Sequence, residues 1–85
     1  MKYYDIYGIE IKDGDIVEMG DPLYGEIRHN YEIKDINGVL NDRPVNYKDI
    51  PCYKYKGIQS DAWSPANPDI FQMTLNICEA KVIKK

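Results

Sequence analysis

Residues 27–34 alternate cleanly between two kinds of side chain, and a turn dipeptide follows them. Ile27, His29, Tyr31 and Ile33 fall on one side of a period-two pattern, and Arg28, Asn30, Glu32 and Lys34 on the other. This is the signature of an antiparallel strand with one face on a core and one in water. Asn37-Gly38 comes next, flanked by Ile36 and by Val39-Leu40. Both residues tolerate φ > 0, as a two-residue hairpin turn requires, so the pair predicts a hairpin closing at residues 37 and 38. Gly25 marks a bend or bulge ahead of it. A chain committed to this hairpin must build the rest of its core on antiparallel sheet.

The beginning of the chain repeats the theme. Ile9 and Ile11 alternate with Glu10 and Lys12, Asp13-Gly14 gives a turn, and Ile16-Val17 restarts a strand. The pattern predicts a hairpin around Asp13-Gly14, with the Asp15 carboxylate accepting a nearby backbone N–H. A metal site at Asp13 and Asp15 is the alternative, but no third ligand lies close in sequence. Gly20, Asp21 and Pro22 end the strand. Tyr3 to Tyr7 form a first short strand or a docked arm.

The stretch DIYGIEIKDGDIV, residues 5–17, resembles the N-terminal signature of the YopX family, small proteins of phages and prophages. The matching positions are Asp5, Gly8, Glu10, Ile11, Gly14, Asp15, Ile16 and Val17. Tyr7 stands where that signature has Asn, and Lys12 where it has an aromatic. The resemblance covers about the first fifth of the chain. It implies a small β-barrel, a phage or prophage setting and no catalytic residues to carry over.

The middle of the chain is broken by Asn41 to Pro44 and again by Pro51. Cys52 to Lys56 alternates and reads as a short strand, with Tyr53 and Tyr55 on one face and Lys54 and Lys56 on the other. Tyr/Lys interleaving is one way to hold single-stranded nucleic acid, rings on bases and amines on phosphates. It is also how an ordinary edge strand is protected by lysines. Residues 58–69 form the longest loop, with a helical turn at residues 60–63 stopped by Pro65 and Pro68. Trp63, the sole Trp, either plugs one end of the core or presents a ring to a partner; the need of a small domain to bury apolar area favours the plug.

In Ile70 to Ile83, Phe71, Met73, Leu75 and Ile77 alternate with Gln72, Thr74 and Asn76, which predicts a strand. The phase then slips, and Cys78, Ala80 and Val82 become the apolar set. A bulge or break near Ile77-Cys78 is the expectation, since a one-residue slip flips a strand's face.

Composition limits function more than fold. The chain of 85 residues reads as a single domain, residues 1–85, with 44% hydrophobic and 29% charged residues, which excludes disorder. Its net charge of −3 argues against broad nucleic-acid binding. The 8 tyrosines suit pleated sheet surfaces and also binding faces. No apolar run approaches the ~20 residues of a membrane span, and the N-terminus lacks the apolar run of a secretory signal, so a cytoplasmic setting is expected. Cys52 and Cys78 are then expected as thiols, and with His29 distant from both, zinc is not expected. His29 itself reads as a satisfied core or rim residue.

No nucleophile elbow, phosphate loop, HExxH or dinucleotide motif is present. The expectation is a mainly β chain, a small SH3-like partly open barrel or roll of five to six strands, with an OB-like barrel as the alternative. It is expected to be no enzyme and to need no cofactor. It would associate stoichiometrically with a host protein, inhibiting a defence or regulatory enzyme, with Tyr53, Lys54, Tyr55, Lys56 and Trp63 as the binding surface. A nucleic-acid or nucleotide-binding barrel using the same Tyr/Lys strand is the second reading. Edge-to-edge assembly into a homo-oligomer is the third.

Overall fold

The computed structural model describes residues 1–20, 28–45 and 63–84. Five strands, β1 (Ile16–Gly20), β2 (Arg28–Ile36), β3 (Val39–Pro44), β4 (Ser64–Pro65) and β5 (Lys81–Lys84), form one antiparallel sheet in the order β4-β3-β2-β1-β5. A short helix, α1 (Phe71–Ile77), lies between β4 and β5 in the chain. The sheet is not closed, and the architecture is the mainly β, partly open barrel or roll that the alternation predicts.

The central hairpin forms where the sequence puts it. Ile36 pairs with Val39, and Asn37 and Gly38 both have positive φ, 54° and 85°. That is the type I′ pattern, whose twist matches that of a right-twisted strand pair. The Asp35 carboxylate accepts the Gly38 N–H at 2.8 Å and fixes the turn. Along β2 the faces alternate as expected. Ile33 is buried and stands opposite Asp42, and Tyr31 stands between Val17 and Pro44.

The first hairpin differs from expectation. The Asp13-Gly14 turn is present, with the Asp15 N–H donating to the Lys12 carbonyl and the Asp15 carboxylate accepting the Lys12 N–H at 2.8 Å. Yet residues before the turn do not pair with β1. They fold back on the N-terminus instead: Ile11 N–H donates to the Tyr3 carbonyl, and Tyr4 bridges Glu10. Here Gly14 has φ 87° while Asp13 does not share the positive region. A turn with φ > 0 at only its second central residue splays its flanks instead of closing a hairpin.

The loop of that N-terminal fold-back is built on one side chain. Asp5, 4% exposed, accepts the N–H groups of Tyr7 (2.8 Å) and Ile9 (2.9 Å) on Oδ1, and that of Val82 (3.0 Å) on Oδ2. Ile6 donates to the Ala80 carbonyl beside it. The N-terminal turn therefore covers the outer edge of β5 between Ala80 and Val82. That stretch is no longer a template for pairing with a second copy.

The strand predicted over residues 70–83 is corrected. Residues 71–77 are helical, and only Lys81–Lys84 is strand. Phe71 and Leu75 fit both the alternating run and helical spacing, whereas Cys78, three residues beyond Leu75, fits helical spacing alone. The decision comes from the ends. At the start, Asn67 Oδ1 accepts the Asp69 N–H, and its carbonyl accepts those of Ile70 and Phe71. At the finish, Ala80 N–H bonds the Leu75 carbonyl and Glu79 N–H that of Asn76, with Glu79 at φ 49°. This is a Schellman closure with Glu where Gly is usual. The Arg28 guanidinium donates to the Glu79 carbonyl at 2.6 Å and also pairs with the Glu18 carboxylate, tying the strained corner to β1 and β2.

The core lies between the sheet and α1. Val17, Met19, Ile33, Phe71, Leu75, Cys78 and Ala80 are buried together with Tyr3 and Ile11. Tyr3 packs edge-to-face on Phe71 at 4.8 Å between centroids. Tyr4 and Tyr7 face solvent.

Candidate functional site

β4 positions Trp63. Asp42 pairs with Ser64, Asn41 with Pro65, and Ala66 N–H donates to the Leu40 carbonyl at 2.8 Å. Pro65 donates nothing to a ladder, which an edge strand tolerates. Continuing this register sets Trp63 beside Arg43. Arg43 and Lys34 both belong to the face of β2 and β3 that carries Glu32, away from Ile33 and the core.

On that face the Arg43 guanidinium lies 4.4 Å from the Trp63 ring centroid, and the Lys34 ammonium lies 5.6 Å from it. Arg43 also pairs with the Glu32 carboxylate at 3.2 Å. The ring attracts both cations through its quadrupole, about 0.5–1 kcal/mol each where water has access. Trp63 is half-buried and is not part of the core cluster. The expectation that it plugs the core is therefore corrected. The sheet's outer face offers it two cations, and its ring packs there.

Tyr53, Lys54, Tyr55 and Lys56, the other residues of the expected binding surface, lie outside the described residues, as do Cys52 and residues 60–62 of the expected helical turn; Trp63, its last residue, is not helical. Local sequence reading missed Arg43 and Lys34 as neighbours of Trp63. A signal for part of it was present. Counting outward from the Asn37-Gly38 turn sets Glu32 against Arg43, and Lys34 against Asn41.

The opposite face of the sheet carries a second polar group. His29 stands opposite Met19, half-buried, and its Nε2 is shielded from water with no hydrogen-bond partner among the described residues. It is not the satisfied histidine the sequence suggests. Burial pushes the Asp42 carboxyl up to about 6, and among the described residues it accepts no hydrogen bond. Tyr31 lies between His29 and Asp42 in the inner-face register, so the two do not stand opposite one another.

The aspartates of the first turn serve structure. Asp15 holds Lys12, and Asp13 Oδ1 accepts the Asp35 N–H at 2.7 Å. Among the described residues no group of three or more His, Cys, Asp or Glu is arranged to hold a metal ion. No helix there is long and apolar enough to cross a membrane. Comparison with protein-family models, curated proteins and solved structures finds no match to this chain.

Proposed function

We propose that this protein works by stoichiometric association with a partner protein, through the outer face of its sheet, and without catalysis. The observation that carries this reading is Trp63 outside the core cluster, with the Arg43 guanidinium and the Lys34 ammonium both over its ring. Trp and Arg are the residue types that dominate binding energy at protein interfaces, where their contacts are shielded from water. The resemblance of residues 5–17 to the YopX signature adds a phage or prophage setting, in which the partner is a host defence or regulatory enzyme and the outcome its inhibition. The alternating Tyr53 to Lys56 segment of the sequence is assigned to partner contact in the same reading.

A second reading draws on the same cations. A ring in contact with an ammonium and a guanidinium on an open sheet also suits single-stranded nucleic acid. Capture from bacterial lysate by the tagged protein separates the two, run with and without nuclease and at two salt concentrations. A discrete protein band that survives nuclease and is lost with Trp63→Ala supports the first reading. Capture that vanishes with nuclease or high salt supports the second. Capture unchanged in both Trp63→Ala and Tyr55→Ala removes this surface from either.

A further inference from the structure

The face of α1 turned away from the core is apolar. Phe71, Leu75 and Cys78 are buried, while Ile70, Met73 and Ile77 are left 47%, 53% and 63% exposed. Spacings of three and four residues set these three in one row along the helix. The polar residues of α1 are spent within the chain. Gln72 accepts the Tyr4 N–H at 2.9 Å and donates to the Tyr4 carbonyl at 2.8 Å and to Asn76 Oδ1 at 3.1 Å. The Thr74 hydroxyl donates to the Ile70 carbonyl at 3.0 Å.

The N-terminal turn extends this surface. Tyr3 turns inward onto Phe71, and Tyr4, Ile6 and Tyr7 beside it are exposed. Tyr4 lies along α1 through Gln72, and Ile6 lies past the helix end, its N–H on the Ala80 carbonyl. At roughly 200 Å² for each side chain when fully exposed, the six leave roughly 600 Å² of apolar surface, as much as the largest patch of an ordinary monomer. Two such surfaces together would remove about 1,200 Å² from water, the lower bound for a specific protein–protein interface.

The row is also complementary to itself. Met73 lies three residues from Ile70 and four from Ile77, near the middle. An antiparallel copy of α1 therefore sets Met73 on Met73 and Ile70 on Ile77 in both directions, as two-fold symmetry requires.

We propose that this protein forms a homodimer through α1, with the two-fold axis at Met73 and with Tyr4, Ile6 and Tyr7 extending the contact. The helix covers the inner face of the sheet, so the Trp63 surface stays open on both copies. Like charge opposes the pair: each copy carries a net −3, and Asp69 and Glu79 bracket the helix, Glu79 only partly offset by Arg28 at 3.9 Å. Added salt screens this repulsion and strengthens the dimer.

The test is the mass of the full chain in sedimentation equilibrium from micromolar to millimolar concentration, at low and high salt. A rise from the monomer mass to twice that value is expected, at lower concentration in high salt. Amide shifts that change with concentration should map to residues 4–7 and 70–77. Met73→Glu sets two carboxylates against each other at the axis and should weaken the dimer about a hundredfold. Ile77→Gln, at the more exposed position, should weaken it about tenfold, with the amide spectrum of the folded monomer kept in both variants. A monomer at every concentration overturns the proposal. So does a dimer indifferent to both variants, or one whose concentration-dependent shifts lie on β2 and β3. A protein that stays monomeric, but loses a band captured from lysate on Met73→Glu, assigns this face to a different partner and overturns it too.

Discussion

Asp13-Gly14 and Asn37-Gly38 look alike in sequence, but the chain around them is held by different chemistry. At residues 37 and 38 the backbone closes the hairpin by its own geometry, with positive φ at both central residues and six paired positions running away from the turn. At residues 13 and 14 only the glycine turns left-handed, the flanks separate, and side chains take over. Asp15 binds the turn, and Asp5 gathers three backbone N–H groups from two parts of the chain. A turn dipeptide thus specifies a reversal of direction. Which strands meet across it depends on whether the handedness of the turn matches sheet twist.

If the first region depends on carboxylates, Asp5→Ala should do the most damage. It leaves three N–H groups without their acceptor at a buried site, and roughly 3 kcal/mol or more of unfolding free energy should be lost in urea titration. A loss smaller than that of Gly38→Ala would break the comparison outright.

The pH dependence of stability sharpens it from the other side. Asp42, on the hairpin held by backbone geometry, has its folded pKa raised to about 6 from 3.8, by burial. The folded state therefore holds more protons than the unfolded state between those values. Asp42 adds stability below about pH 4 that is lost as pH rises through about 6, a change on the order of 1–3 kcal/mol. Asp42→Asn should flatten this slope in unfolding curves recorded across the interval; an unaltered slope would mean that another group causes it.

Asp15→Ala should cost about 1–2 kcal/mol by removing the acceptor of the Lys12 N–H, and hydrogen exchange at Lys12 should report it first. Gly38→Ala should cost about 1 kcal/mol, read as a drop in melting temperature. A side chain is strained at φ 85°, although nothing lies within 4 Å of the added methyl group.

The parts of the fold that were legible from sequence are those decided within a few residues. The faces of β2 and the turn at Asn37-Gly38 follow from period and φ preference alone. Residues 71–77 were not legible in that way, because Phe71, Met73, Leu75 and Ile77 alternate as a strand does while Phe71, Leu75 and Cys78 recur as a helix does, and the choice rests with Asn67 and the Schellman bonds at Glu79 and Ala80. The site was less legible still. Trp63 reaches Arg43 and Lys34 only because Ser64 pairs with Asp42, a pairing between segments that no local pattern connects. The role of Asp5 depends on Val82, and composition gives no hint of it.

That last bond also sets an order of events during synthesis. The Asp5 carboxylate and the Val82 N–H are 77 residues apart in the chain. At about 5–20 residues per second, Asp5 waits roughly 4–15 s for its partner to be made. Through that interval the β2–β3 hairpin can form from neighbouring residues, while the outer side of β1 has no β5 beside it. That side of β1 is therefore open to unwanted strand pairing until Lys81–Lys84 emerges, and a pause in translation before it would lengthen the exposure.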